Sequence, residues 1–254
     1  MWGIELALTP AQLLLMLLGA LIAGFTTGVA GFGTALVASG LWFHALPAAT
    51  VPPLIVMTGA AAQILGQVAV RKAFDFKRTA PFVAGGLLGL PIGVALLTTS
   101  TPDTVRLVIA TFLITYSVLQ FAQRQPLSIG DVGGRAADAV VGALGGVLGG
   151  FAGLSGPLPL VWLQMRGGPS EAQRAVYQPF NLVMLSLGAV GMALAGQVTR
   201  EVLLAAAICL PVTLGGAWLG AHTYGRISAE AFRRVVLGLL FVSGLVLLAQ
   251  AATA

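Results

Sequence analysis

The sequence predicts an all-α polytopic membrane protein: two inverted repeats of five hydrophobic segments each. Three observations carry this reading. Hydrophobic residues make up 57% of the 254-residue chain and charged residues only 8%, whereas a soluble domain carries about 25% charged residues. A glycine-rich phrase occurs in each half, Gly28-Val29-Ala30-Gly31-Phe32-Gly33-Thr34 and Gly150-Phe151-Ala152-Gly153-Leu154-Ser155-Gly156-Pro157, 122 residues apart. The cations also distribute unevenly among the loops, as membrane insertion requires.

Taken in order, the first half (repeat 1, 11–123) contains apolar segments at roughly 11–30, 33–46, 50–70, 79–99 and 104–122. Thr9-Pro10 opens the first, because proline suits the first helical turn. No basic stretch precedes that segment, so a cleaved signal peptide is not expected. Arg71, Lys72, Lys77 and Arg78 separate the third segment from the fourth. A polar linker, 124–135, follows. The second half (repeat 2, 136–252) repeats the order at roughly 138–153, 155–165, 176–197, 201–222 and 231–252. Most of these runs approach the ~20 residues that cross a bilayer. The second segment of each half is too short for a comfortable crossing, so the first two are expected to form a broken or re-entrant hairpin around the glycines. The whole of 1–254 reads as one transmembrane domain.

An ungapped offset of 122 pairs Gly24 with Gly146, Gly28 with Gly150, Gly31 with Gly153, Pro47 with Pro169 and Gly66 with Gly188. With five segments per half, Arg71, Lys72, Lys77, Arg78, Arg124, Arg135, Arg166, Arg174, Arg226, Arg233 and Arg234 share one side. Only Arg106 and Arg200 fall on the other, a split of 11 to 2. Treating each short pair as one broken crossing gives eight spans and a split of 7 to 6, which is no signal. The first arrangement puts both termini outside. An odd number of segments per repeat then inserts the halves upside down relative to each other.

Gly85, Gly89 and Gly93 recur at every fourth residue, as do Gly142, Gly146 and Gly150, then Gly145, Gly149 and Gly153, and finally Gly216 and Gly220. Such stripes let helices approach closely in lipid. The repeated phrase is different, because Gly31 with Gly33, and Gly153 with Gly156-Pro157, crowd helix-weakening residues together. A helix starting after such a break aims free N–H groups and its positive dipole end at whatever lies there. Two such ends make an anion site that needs no buried cation. The expected substrate-binding residues are Gly31, Gly33, Thr34, Ser155 and Gly156, with amides from Gln178 and Asn181. Gln178-Pro179-Phe180-Asn181 is expected to break its helix, and Pro52-Pro53 and Gln63 occupy the corresponding stretch of the first half. Trp42, Trp162 and Trp218 read as interfacial anchors, and Asp138 as a helix-start residue.

Other function classes lack residues. The net charge of +5 comes from loop cations, so nucleic-acid binding is not expected. His44 and His222 have no Cys or carboxylate cluster beside them, so neither a metal nor a cofactor is expected. Cys209 is a small core residue. No nucleophile–base pair or phosphate-cradling loop points to an enzyme. The acids Glu5, Asp75, Asp103, Asp131, Asp138, Glu171, Glu201 and Glu230 all fall in loops or near segment ends, whereas cation-coupled pumps commonly bury a carboxylate.

The phrases Gly24-Phe25-Thr26-Thr27-Gly28-Val29-Ala30-Gly31-Phe32-Gly33 and Gly149-Gly150-Phe151-Ala152-Gly153-Leu154-Ser155-Gly156-Pro157-Leu158-Pro159 resemble those of the sulfite exporter TauE/SafE family, also called the toluene sulfonate uptake permease family. Gln173-Arg174-Ala175 leading to Asn181, and Phe74-Asp75-Phe76-Lys77 opening the fourth segment, add to the resemblance. It implies a multi-pass transporter of the bacterial inner membrane for sulfite, organosulfonates or related anions, with lipid as its other partner and a homo-oligomer allowed. Thr34 stands where the family phrase often has glycine, and Ser155 replaces part of a longer glycine run. Alternatives are an anion channel of the same architecture, a carrier of a non-sulfur organic anion, or a non-transporting membrane subunit.

Overall fold

A computed structural model describes residues 8–70, 75–122, 129–223 and 229–253. Arg71, Lys72, Arg226, Glu5, Phe74 and the start of the linker, 124–128 with Arg124, lie outside the described residues, as does the side chain of Glu230. The described chain is helical: α1 (Pro10–Ala30), α2 (Thr34–Trp42), α3 (Val51–Val70), α4 (Phe76–Thr99), α5 (Pro102–Ala122), α6 (Gly134–Ala152), α7 (Pro157–Arg166), α8 (Ser170–Leu194), α9 (Arg200–Thr223) and α10 (Ala229–Thr253). Among the described residues, seven helices are long and apolar enough to cross a membrane. The chain is therefore a multi-pass α-helical membrane protein.

Local chemistry starts and stops these helices. Thr9 caps α1 reciprocally with Gln12 ahead of Pro10, and Asp75 caps α4 by accepting from the Lys77 and Arg78 amides. Gly31 ends α1 at φ +76° and Gly153 ends α6 at φ +73°. That left-handed conformation is costly for a residue with a Cβ. α2 and α7 then double back. Trp42, at the end of α2, donates to the Met16 carbonyl early in α1 at 2.9 Å, and Trp162 of α7 donates to the Asp138 carboxylate of α6 at 2.8 Å. At 1.5 Å per residue, nine and ten residues cover only about 15 Å, half a bilayer core.

Several expectations require correction. α8 begins at Ser170 and runs unbroken through Pro179. Proline removes only one donor, and in a packed bundle neighbours can satisfy what it frees. Pro52 and Pro53 sit in the first turn of α3 and break nothing. Trp42 is fully buried rather than an interfacial anchor, because its indole N–H finds a carbonyl inside. Asp138 lies in the second turn of α6, whose N-cap is Gly133. Its carboxylate is buried and paired with Trp162 and Arg166.

The glycine stripes are contact surfaces. A Cβ at Gly24 or Gly28 would overlap the Thr213 or Ala217 carbonyl of α9, and one at Gly216 or Gly220 would overlap the Leu21 or Phe25 carbonyl of α1. The same relation joins Gly85, Gly89 and Gly93 of α4 to Gly142, Gly146 and Gly150 of α6. In both pairs the contacts advance together along the sequence, so the helices run parallel. α3 and α8, the third helix of each half, face each other in opposite senses: Gly59 lies against Leu185, Gly66 against Gln178, and Gly188 against Val56. α5 packs on α10, with Arg233 donating to the Gln120 carbonyl and, at 3.1 Å, to its Oε1.

Candidate functional site

At the first break, the C-terminal carbonyls of α1 meet polar side chains of α3 and α8. Tyr177 donates its hydroxyl to the Ala30 carbonyl at 2.7 Å, Arg174 donates to Gly28 O at 3.5 Å, and Gln63 donates to Gly31 O at 3.2 Å. The Tyr177 ring stands edge-on to Phe32, centroids 5.9 Å apart. These groups answer the negative end of the α1 dipole. α2 starts directly afterwards, with Gly33 as its N-cap and no side chain capping it.

Thr34 and Gln178 differ in what they have left to offer. Thr27 donates to the Ala23 carbonyl, so the hydrogen bond between the Thr27 and Thr34 hydroxyls takes the Thr34 proton. Thr34 is left with lone pairs only. Gln178 is fully buried and accepts from Arg174 Nε at 3.1 Å, which fixes its oxygen and leaves its Nε2 without a partner. The Gln63 Oε1 is likewise buried and unpartnered.

The second break has different walls. Ser155, fully buried, donates to Asn181 Oδ1 at 2.8 Å. The Asn181 amide lies flat against Gly156, where a Cβ would come within 2.5 Å of Nδ2. α7 begins at Pro157 with no side-chain cap. Where Gly31 is covered by Arg174, its counterpart Gly153 is covered by Ile55 and Val56 of α3. The breaks share a left-handed glycine at the helix end, Gly31 and Gly153. They differ at the next helix start, where Gly33 is at φ +108° and Gly156 at −76°. They are opposite in lining: one is cationic and amide-rich, the other apolar with a single serine–asparagine pair.

The seven predicted residues fall into two groups, Gly31, Gly33, Thr34 and Gln178 at one break and Ser155, Gly156 and Asn181 at the other. The groups are near each other. Along α3, Ile55 touches the second break and Gln63 the first, eight residues or about 12 Å apart. Along α8 the corresponding residues are Arg174 and Asn181.

Sequence reasoning placed Arg174 in a loop and looked for a site without a cation. The missed signal was helical spacing: Arg174, Tyr177 and Gln178, three and four apart, project from one face of a helix that begins earlier than its apolar run. Trp218 is exposed on α9, as an interfacial residue would be.

Comparison with known proteins agrees with this architecture. The family described as Sulfite exporter TauE/SafE matches residues 16–247, a span that contains both breaks and both hairpins. A protein of Cupriavidus necator named "Probable sulfite/organosulfonate exporter TauE" is 30% identical over 257 positions, covering 96% of this chain and 98% of the relative. No solved structure matches. Spanning nearly all of both sequences, these similarities place the chain in the sulfite exporter TauE/SafE family, a family of membrane transporters.

Proposed function

We propose that this protein exports small sulfur-containing anions, sulfite or organosulfonates, across the bacterial inner membrane. Substrate binds between the two helix breaks and is released by rocking one half of the molecule against the other. The observation that carries this reading is the buried Gln178 Nε2, an unpartnered donor on the same amide that Arg174 grips. An unmade hydrogen bond inside an apolar bundle costs free energy, and an oxyanion would satisfy it. The uncapped start of α2 adds backbone N–H groups at the same break. The Asn181 amide supplies the corresponding donor at the second break, since the Ser155 proton already goes to Asn181. The Cupriavidus relative's name points to the same substrate class.

The halves are read as inverted repeats, 11–123 and 136–252. The antiparallel course of α3 and α8 supports that reading, as does the exchange of partners in which α1 packs on α9 and α6 on α4. Lys77, Arg78, Arg135 and Arg166 line one cavity, which fits the side assigned as cytoplasmic by loop charge, with the termini outside. With the interior negative, each anionic charge leaving gains about 2.3 kcal/mol per 100 mV, so export needs no coupling ion.

The test is a thermal-shift series on purified protein with sulfite, thiosulfate, sulfoacetate and taurine, with carboxylates as controls, followed by labelled-sulfite flux in proteoliposomes. A ligand at one hundred times its Kd stabilises the folded state by about 2.7 kcal/mol. The expected result is stabilisation by sulfite or a sulfonate and flux that follows the membrane potential. Stabilisation by carboxylates alone would overturn the substrate assignment.

A further inference from the structure

Two adjoining cavities, of about 420 and 570 Å³, open where α4 and α6 begin and α7 ends, and they share Lys77, Pro81 and Arg135. Their charges are unequally matched. Arg166 is committed to Asp131, to Asp138 at 3.5 Å, and to the Val132 and Gly134 carbonyls. That one arginine answers both acids. Lys77, Arg78 and Arg135 are exposed and make no ion pair among the described residues.

The inner wall of the smaller cavity, of about 420 Å³, is apolar. Phe82 lines the cavity and is buried. Its ring meets Phe180 edge-on, centroids 6.3 Å apart. Phe180 in turn lies against Gly145, where a Cβ would stand 3.2 Å from the Phe180 Cζ and 2.9 Å from the Ser155 carbonyl. The next residue along α8 is Asn181. One pair of aromatic rings therefore separates three unanswered cations from the second helix break.

We infer that this basic cavity is an entrance vestibule for small oxyanions, a second anion site distinct from the helix breaks, closed at its inner end by the Phe82–Phe180 pair. Low-dielectric walls lined by one sign of charge focus the field and raise the local concentration of the opposite ion. The inference rests on the transport reading only for the identity of the anion. An anionic lipid headgroup offers the same oxyanion chemistry, and the cavity's depth toward Phe82 and its polar rim at Gly130 and Asp131 favour a small anion fed from water.

The test reads the potential inside the cavity directly. In a Cys209→Ala background, Ala80→Cys puts one thiol beside Lys77 and Arg135, and its modification rates by an anionic and a cationic methanethiosulfonate are compared in phosphatidylcholine nanodiscs. The ratio of anionic to cationic rate is expected to fall about tenfold on Lys77→Gln/Arg78→Gln/Arg135→Gln, with Lys77→Gln alone giving a smaller fall if the triple variant does not fold. Sulfoacetate, which does not react with methanethiosulfonates, is expected to slow the anionic reagent in vestibules whose cations are intact, with or without added phosphatidylglycerol. A ratio unmoved by neutralisation overturns the inference. Protection by sulfoacetate that disappears on adding phosphatidylglycerol assigns the cations to lipid and also overturns it. If charge-selective modification and sulfoacetate protection hold while proteoliposomes move no sulfur anion, the vestibule stands and the transport reading falls.

Discussion

Ser155 gives its hydroxyl proton to Asn181 Oδ1 at 2.8 Å, joining the second helix break to the middle of α8. Both side chains are buried, so the bond has no water to replace it. Asn181→Ala is expected to destabilise the protein by about 1–3 kcal/mol by stranding the Ser155 hydroxyl. Ser155→Ala/Asn181→Ala should cost less than the two single changes added together. A double-mutant cycle in detergent should return a coupling near the ~0.6 kcal/mol typical of interhelical hydrogen bonds in membranes. Strict additivity would show that the pair does not couple the two elements.

Arg174 holds Gly28 O and Gln178 Oε1 at once, so it both closes the end of α1 and orients the amide proposed to meet the anion. Arg174→Gln removes the charge, and its expected effect on labelled-sulfite flux is a rise in KM of about tenfold or more, as losing a charge-assisted hydrogen bond of ~1.5–3 kcal/mol predicts. Arg174→Lys keeps the charge but loses the planar fork, and should fall between. Equal KM values for all three proteins would remove Arg174 from the binding site.

Helix number, helix order and both breaks were legible in the sequence, because apolar runs and paired glycines are local signals. The lining of the breaks was not. Gly31 and Gly153 share a conformation, yet whether a guanidinium or an isoleucine covers it depends on which face of α8 or α3 turns inward. Arg174 looked like a loop residue because the apolar run begins after it, while α8 begins before it. Trp42 looked interfacial because its composition is amphipathic, and the Met16 carbonyl that satisfies it is 26 residues away. Pro179 looked like a break because propensity counts the missing donor and not the packing around it. Thr34 was expected among the substrate-binding residues, and only the chain of bonds through Thr27 to Ala23 shows where its proton goes.

His44, between α2 and α3, is half-buried, and burial holds its pKa below the ordinary 6.5 despite a hydrogen bond with Gln250 of α10. A histidine buried neutral binds fewer protons folded than unfolded, so stability falls as pH drops through 6.5 toward the lowered folded value. The Tm in detergent is expected to decline between pH 7.5 and 5.5, and His44→Gln should flatten that part of the profile. An unchanged slope in the variant would assign the decline to other groups.

Gly215 and Gly216 are neighbours on α9 with opposite surroundings. A Cβ at Gly215 meets nothing within 4 Å, whereas one at Gly216 overlaps the Leu21 carbonyl and comes within 3.0 Å of the Phe25 amide nitrogen, both in α1 backbone. Backbone cannot swing aside as a side chain can, so the second methyl must push the helices apart. Close approach is also what holds helices together in lipid, where apolar burial gives no net drive. Gly215→Ala is expected to be neutral or to stabilise by up to about 1 kcal/mol through helix propensity. Gly216→Ala, the same chemical change one residue along, should lower the Tm and the yield of folded protein. Because α1 carries the first break, it should also reduce sulfite flux per folded molecule. Equal stability of the two variants would show that α1 and α9 do not approach as closely as their glycines allow.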